Sequence, residues 1–334
     1  MIGHLPVLSD AWARRVTYLR VSVTDRCNYR CTYCMPEAGV AVSPRADVLS
    51  LEEVARVVRV FRSAGVRRVR LTGGEPTVRQ GLVDLVAMLA ALDLDDLAMS
   101  TNGHTLVEHA EPLRRAGLSR LNVSVDTIDP KKFQAITRRG DLTRVLDGID
   151  AARAAGFSSI KTNTVGVLGF NDEELPAIAA WAWSRGAVPR FIEWMPMSSG
   201  DLFAPGGFLA AAAMRDRLTS AFGLLAPDDG AGLVGVGPAR YLRTSTGERV
   251  GVISAVTERF CETCNRVRLS ATGKLHACLA DDTEVDLRAL LRSGASDDAL
   301  FHALRLGVQE KVEGHAFTTA GCGGPRKHMV AIGG

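Results

Sequence analysis

The chain has 334 residues, of which 46% are hydrophobic and 23% charged, a composition typical of a globular protein with a sizeable core. Its formal net charge of +3 is too small to indicate a nucleic acid or a membrane surface as a partner. No stretch has the length of a signal peptide core or a membrane span, so we expect a cytoplasmic protein. Seven cysteines are too few for a disulfide scaffold, and clustered thiols in a reducing compartment indicate metal or redox chemistry.

Short β-rich runs alternate with helical patterns in the first part of the chain. The predicted strands are 18–24, 66–72, 96–101, 120–125, 159–165 and 189–195, and the predicted helices are 50–65, 79–91, 105–116, 142–155 and 172–185. Ser50 with Glu53 three residues later predicts a capping box, and Gly65 predicts the end of that helix. The repeated strand–helix order implies parallel strands and right-handed crossovers. We therefore predict an α/β fold built on an incomplete (β/α)6 TIM-type barrel.

The alternation stops after residue 197. Gly- and Pro-rich turns follow, with an Ala-rich helix predicted near 208–221, and shorter strands with a second cysteine group begin at about 240. We expect a barrel at 1–200, a linking segment at 201–240 and a C-terminal extension at 241–334 that closes the open face of the barrel.

The first cysteine group, "CNYRCTYC", follows directly on the first predicted strand and contains Cys27, Cys31 and Cys34. In a barrel of this type that position lies at the C-terminal face, where strand-to-helix loops form active sites. Three thiolates supply three of the four ligands that a tetrahedral zinc or a cubane cluster needs. No fourth Cys or His lies nearby in sequence, and an iron left open in a [4Fe–4S] cluster is useful where a small molecule binds it.

This triplet resembles the CxxxCxxC loop of the radical S-adenosylmethionine (radical SAM) enzymes, and "LTGGEP" at 71–76 resembles the glycine-rich turn of the same family. The resemblance implies a partial (β/α)6 barrel and a [4Fe–4S] cluster whose open iron is chelated by SAM. It also implies that reductive cleavage of SAM yields a 5′-deoxyadenosyl radical, with the protein positioning the cofactor and excluding water.

The second cysteine group is Cys261-x2-Cys264-x13-Cys278. One hypothesis is a structural zinc completed by His276, which shares a face with Cys278 if both lie in one strand. The other hypothesis is a second [4Fe–4S] cluster, again with an open iron, that holds the substrate.

Basic residues stand inside otherwise apolar predicted strands. Arg20, Arg70 and Lys161 each lie opposite the hydrophobic face of their strand, and Arg266 and Arg268 share one face if "NRVR" is extended. Cations without acidic partners inside a barrel are costly, and guanidinium groups fit phosphate oxygens. The pattern predicts a polyanionic ligand.

Together these features resemble the GTP 3′,8-cyclase family of molybdenum cofactor biosynthesis. The motifs that carry the resemblance are "YLRVSVTDRCNYRCTYCMP", "VRLTGGEPTVR", "STNG", "RLNVSVDTID", "RFIEWMPM", "CNRVRLSATGKLHACL" and the terminal "IGG". The resemblance implies a lyase that converts GTP to (8S)-3′,8-cyclo-7,8-dihydroguanosine 5′-triphosphate. In the implied reaction, the 5′-deoxyadenosyl radical takes hydrogen from ribose C3′, the resulting carbon radical attacks guanine C8, and the aminyl-type intermediate that forms is reduced.

The resemblance also implies residue roles. Two [4Fe–4S] clusters would be held by Cys27, Cys31 and Cys34 and by Cys261, Cys264 and Cys278. SAM would lie against Tyr33, Gly74, Ser124 and Met195. GTP would bind Arg20, Arg70, Ser100, Lys161, Arg266, Val267 and Arg268, with Arg20, Arg266 and Arg268 also acting in catalysis. Ser100 stands where most homologues carry threonine, and either hydroxyl can serve.

The implied partners are an electron donor such as flavodoxin or ferredoxin, a downstream cyclic pyranopterin monophosphate synthase, and a second copy of the chain in a homodimer. The tail Gly333-Gly334 would insert toward the active site. Two alternatives remain at this point: another radical SAM enzyme with an auxiliary cluster, for instance one that modifies peptides, and a zinc-stabilised binding protein without catalysis. Extensions of the former type carry more cysteines than this one.

Overall fold

The computed structural model describes residues 5–233, 235 and 237–333. The strands are β1 Tyr18–Ser22, β2 Arg68–Thr72, β3 Asp96–Thr101, β4 Arg120–Ser124, β5 Ile160–Gly166, β6 Val188–Glu193, β7 Ala226–Asp228, β8 Arg240–Arg243, β9 Arg249–Ile253, β10 Arg266–Leu269, β11 Lys274–His276 and β12 Val285–Asp286. The helices are α1 Leu51–Ser63, α2 Leu82–Ala90, α3 Leu106–Arg115, α4 Pro130–Thr137, α5 Leu142–Ala154, α6 Leu175–Ser184, α7 Ala211–Phe222, α8 Leu287–Arg292, α9 Asp297–Gln309 and α10 Met329–Ile332.

Strands β1 to β6 lie side by side in chain order, and every neighbouring pair is parallel. Side chains that point away from the barrel interior, such as Val21, Val69 and Val123, are fully buried in the main hydrophobic core beneath the helices. The alternation of polar and apolar residues along each strand therefore places polar groups inside the barrel. The prediction of a partial (β/α)6 barrel is confirmed.

The extension is joined to the barrel at both edges of its sheet. β10 pairs in parallel with β1, and β9 pairs in parallel with β6. Across the described residues the strand order is β12-β11-β10-β1-β2-β3-β4-β5-β6-β9-β8-β7. The second cysteine group, which flanks β10 and β11, is thereby brought next to the first strand of the barrel.

The ends of the helices follow the local sequence closely. The capping box is present, because Ser50 Oγ accepts from the Glu53 amide and the Glu53 carboxylate accepts from the Ser50 amide. α4 was not among the predicted helices, although Asp129 caps it by accepting from the amides of Lys131 and Lys132, and Pro130 opens its first turn. The 201–240 segment contains α7 and the short strand β7. None of the described helices has the length and apolar character needed to cross a membrane.

Candidate active site

A cavity of about 350 Å³ opens at the carboxyl ends of the barrel strands, and both cysteine triplets line it. The predicted site residues on its wall are Cys27, Cys31, Cys34, Cys261, Cys264, Cys278, Tyr33, Gly74, Ser124, Met195, Arg20, Arg70, Ser100, Arg266 and Arg268. Residues from the two ends of the sequence thus meet in one site.

The first triplet lies on the loop that follows β1. The loop is fixed by α4, whose carbonyls at Ile136 and Thr137 accept from the amides of Thr32 and Arg30 at 2.9 and 3.0 Å. Burial raises the pKa of Cys27 to about 11 and that of Cys34 to about 12. Buried thiols of this kind lose their protons when a metal group binds them, so their chemistry suits a thiolate-bound cluster.

The Gly73-Gly74 turn packs directly on this cysteine loop. A Cβ on Gly73 would lie 2.7 Å from the carbonyl oxygen of Thr24, and one on Gly74 would lie 2.3 Å from that of Arg26. The glycines are therefore required by backbone-to-backbone packing, in addition to any approach of a cofactor. Next to them Glu75 is buried, and its carboxylate accepts from the Asn102 amide at 2.6 Å and the Thr101 hydroxyl at 2.7 Å.

Tyr33 is oriented by a residue whose role the sequence did not indicate. Its hydroxyl donates to Asp126 Oδ2 at 2.7 Å, while Asp126 Oδ1 accepts from the Val165 amide at 2.9 Å. Burial raises the pKa of Asp126 to about 6. The carboxylate thereby connects the cysteine loop to β4 and β5, with Ser124 two residues before it on the cavity wall.

Three arginines stand in register on three adjacent strands. Arg20 on β1 pairs with Arg268 on β10 and with Arg70 on β2. Burial and the charges of Arg268 and Arg70 lower the pKa of Arg20 well below its usual value. Like charges at paired positions of neighbouring strands repel one another, so an anion in the cavity would stabilise this row of three arginines.

Two predicted substrate residues lie elsewhere. The Val267 side chain is buried in the hydrophobic core, which leaves only its backbone available to a ligand. Lys161 is also buried, and its Nζ donates to the Gly235 carbonyl at 3.1 Å and lies 5.6 Å from the Tyr241 ring centroid. Neither side chain is on the wall of the cavity.

The second triplet is spread over two segments. Cys261 and Cys264 flank a short turn in which the Cys264 amide donates to the Cys261 carbonyl at 3.0 Å, and Cys278 follows β11 by two residues. Burial alone would raise the pKa of Cys264, but the charges of Lys311 and Arg266 lower it to about 7. Burial raises the pKa of Cys278.

His276 is not placed to complete a zinc site with these thiols. β11 ends at His276, so the strand that would put His276 and Cys278 on one face does not continue. The His276 Nδ1 lies 3.3 Å from Lys327 Nζ, and the residue is not part of the cavity wall. Among the described residues, no group of three or more His, Cys, Asp or Glu side chains is arranged to hold a single metal ion.

Gly333, the last described residue, packs against the barrel strands. Arg268 Nη1 donates to the Gly333 carbonyl, and a Cβ on Gly333 would lie 2.5 Å from Thr72 Oγ1. Gly333 also has a φ of +76°, a conformation that favours glycine. Gly334 lies outside the described residues.

Several residues on the wall had no assigned role at the sequence level. Arg190 on β6 is buried and donates to Asn122 Oδ1 at 2.5 Å. Like Lys161, it is a cation inside an apolar strand, and that pattern could have identified it from the sequence. Lys311 and His315 also line the cavity. They lie after α9 in irregular chain, where no periodic pattern marks a residue as facing inward.

Comparison with known proteins agrees with this geometry. Residues 21–182 match the Radical SAM superfamily, and residues 188–317 match Molybdenum Cofactor Synthesis C. The chain is 46% identical over 335 residues to a GTP 3′,8-cyclase of Caulobacter vibrioides, covering 98% of this chain and 94% of that protein. It is 46% identical over 333 residues to a GTP 3′,8-cyclase of Rhizobium etli, covering 97% of this chain and 94% of that protein.

Among solved structures, SuiB of Streptococcus suis bound to S-adenosylmethionine aligns with a TM-score of 0.58 at 14% identity, covering 87% of this chain and 68% of that one, which shows a shared fold. The cyclase relatives match nearly the whole chain, so neither a different radical SAM class nor a zinc-stabilised binding protein is supported. The chain belongs to the GTP 3′,8-cyclases, a family of radical SAM enzymes of molybdenum cofactor synthesis.

Proposed function

We propose that this chain converts GTP to (8S)-3′,8-cyclo-7,8-dihydroguanosine 5′-triphosphate in the single cavity that its two cysteine triplets share. The observation that supports the proposal most strongly is the presence of both triplets and the arginine row on one wall. A site with thiol groups for two clusters and cations for a triphosphate suits a nucleotide held beside SAM.

Cys27, Cys31 and Cys34 would hold the [4Fe–4S] cluster that binds SAM. When bound and reduced, this cluster and SAM together supply an oxidant that takes a hydrogen atom from the substrate. The protein's part is to fix the loop through α4 and the Gly73-Gly74 turn, and to place Tyr33, Ser124 and Met195 around SAM.

Cys261, Cys264 and Cys278 would hold a second [4Fe–4S] cluster with one iron open to the guanine base. The three thiols face the same cavity from two segments, and the Cys264 thiol is partly ionised near neutral pH because cations surround it. Such a donor set suits a cluster held by three thiolates.

The arginine row would bind the phosphates and ribose of GTP. Guanidinium groups donate pairs of hydrogen bonds to phosphate oxygens, and an anion removes the repulsion between Arg268, Arg20 and Arg70. Arg20, Arg266 and Arg268 are the residues we place against the reacting nucleotide, with Ser100 beside them. Anchoring both ends of GTP holds ribose C3′ and guanine C8 close together, which is the main contribution that positioning makes to the rate.

The cycle also needs partners. We propose that a small electron-transfer protein such as flavodoxin or ferredoxin supplies electrons, that a cyclic pyranopterin monophosphate synthase consumes the product, and that the chain works as a cytoplasmic homodimer. Oxygen-sensitive clusters and a reducing environment are consistent with that compartment.

The test is anaerobic iron and sulfide quantitation on the wild type and on chains with Cys-to-Ala changes in each triplet. Two clusters require about eight irons per chain, falling by half when either triplet is removed. Zinc bound at residues 261, 264 and 278, or an iron content that is unchanged when that triplet is removed, would contradict the proposal.

A further inference from the structure

Lys311 joins the two segments that carry the second cysteine triplet. It follows α9, is 4% exposed, and its Nζ donates to the Arg266 carbonyl at 2.5 Å and the Ala277 carbonyl at 2.7 Å. Arg266 lies two residues after Cys264, and Ala277 lies immediately before Cys278. One ammonium group therefore fixes the backbone beside two of the three thiols.

The charge of Lys311 is not balanced by a carboxylate. No Asp or Glu oxygen in the described part of the chain lies within 4.0 Å of its Nζ, although the group is buried. A buried cation without a counter-ion is costly, and an ammonium has three donors, of which the carbonyls use two. Since Lys311 lines the cavity together with Cys264 and Cys278, the missing negative charge belongs to whatever those thiols hold.

Arg14 offers an internal comparison, because it supports the same loop without a net charge. Its Nη1 donates to the Cys261 carbonyl at 2.8 Å and to the Glu313 carbonyl at 2.7 Å, while its Nε pairs with Asp10 at 2.6 Å. Arg14 therefore fixes the position of Cys261, and its charge is neutralised by Asp10. Arg14 thus fixes the backbone without adding net charge, whereas Lys311 fixes the backbone and also adds a positive charge.

We propose that Lys311 is a positioning residue for the second cluster, whose ammonium holds the Cys264 and Cys278 segments together and makes the bound cluster easier to reduce. This inference rests on the proposed second cluster. Three thiolates give a [4Fe–4S] cluster a net negative charge that increases on reduction, and a nearby positive charge favours the more negative state. The cluster potential is thereby raised, while the retention of iron depends on both Lys311 and Arg14.

The experiment measures the second cluster alone. In a full-length chain with Cys27, Cys31 and Cys34 changed to Ala, a redox titration followed by electron paramagnetic resonance reports its midpoint potential.

Lys311→Gln keeps N–H donors for the carbonyls but removes the charge, and Lys311→Arg keeps the charge. Lys274→Gln is the matched control, because Lys274 lies in the same extension and pairs with Glu284 near the surface. Circular dichroism checks folding, and Lys311→Met replaces the Gln variant if that chain does not fold.

We expect the neutral variant to show a reduced-to-oxidised ratio about tenfold lower at a fixed potential, equivalent to about 59 mV for one electron. Lys311→Arg and Lys274→Gln are expected to keep the wild-type potential. Arg14→Gln is expected to lose iron while the clusters that remain keep that potential.

An unchanged potential in the neutral variant, or an equal shift in Arg14→Gln, would overturn the inference, since charge would then not set the potential. Failure of the proposed second cluster is distinguishable, because the triple-Ala chain with Lys311 intact would then bind no iron at all.

Discussion

At the scale of single residues, several cations line the cavity. Arg20, Arg70 and Arg268 are adjacent across three strands, and burial with the neighbouring charges lowers the pKa of Arg268 to about 10. The sequence could predict this part of the site because an arginine inside an apolar strand has a fixed side by parity. It could not predict the partners of these residues, since strand neighbours are set by the fold.

Arg70→Ala should weaken GTP binding by about tenfold to a hundredfold, because a hydrogen bond to a charged group contributes about 1.5–3 kcal/mol. Isothermal titration at fixed ionic strength measures it. Arg115→Ala, on an exposed part of α3, is the matched control and should leave the affinity unchanged. Equal affinities for Arg70→Ala and the wild type would remove Arg70 from the substrate site.

Lys161 predicts a pH dependence of GTP binding. Burial and the charges of Arg190, Arg120 and Arg70 lower the pKa of Lys161 to about 7, so the free protein has a largely neutral Lys161 above that pH. The arginine row lies close enough for Arg70 to affect Lys161, so the negative charge of a triphosphate bound there raises the pKa of Lys161 again. Binding then takes up a proton above about pH 7, and affinity falls as pH rises. Calorimetry in buffers of different ionisation enthalpy measures the uptake. Lys161→Arg should abolish it, and uptake that survives this change would assign it elsewhere.

Gly74→Ala should destabilise the first cluster site, because the new Cβ would lie 2.3 Å from the Arg26 carbonyl oxygen and push the cysteine loop away. We expect iron at the first triplet and SAM affinity both to fall at least about tenfold, the cost of roughly 1.4 kcal/mol. Gly206→Ala is the control, since nothing lies within 4 Å of a Cβ there. A fully loaded, SAM-binding Gly74→Ala chain would show that the loop can move without loss.

At the scale of elements, the join between barrel and extension depends on the end of β6. The Glu193 carboxylate is buried and accepts from the amides of Ala211 at 2.8 Å, Val256 at 2.7 Å and Thr257 at 2.9 Å. One side chain thus fixes the start of α7 and the loop after β9 to the barrel. The predicted strands of the barrel and the predicted helices are present in the structure, but α4, α8, α9 and α10 were not predicted. The pattern of α4 is short, and its start depends on a single Asp-Pro cap.

Glu193→Gln should lower stability by about 1–3 kcal/mol, because an amide nitrogen cannot accept from backbone N–H groups and leaves buried donors unsatisfied. Thermal unfolding of the apo chain should show a lower Tm. Glu111→Gln, on the exposed face of α3, should not change the Tm. Equal Tm values for the two variants would contradict the role given to Glu193.

At the scale of the whole molecule, the two cysteine triplets face one cavity because the extension adds strands to both edges of the barrel sheet. Sequence patterns predicted the barrel and the extension, and the motifs indicated what each half binds. The shared strands could not be predicted, since β10 reaches β1 across more than 240 residues of chain, and neither could Arg14 and Lys311, whose partners are backbone carbonyls. Local periodicity carries no information about such distant contacts.

The central claim is that one cavity brings the ribose of GTP to SAM. The most direct measurement uses anaerobically reconstituted enzyme, reductant, SAM and GTP carrying deuterium at ribose C3′, with mass spectrometry of the 5′-deoxyadenosine and the nucleotide formed. The account predicts deuterium in the 5′-deoxyadenosine and a cyclised nucleotide that has lost it. Unlabelled 5′-deoxyadenosine, or a nucleotide that keeps its deuterium, would contradict it.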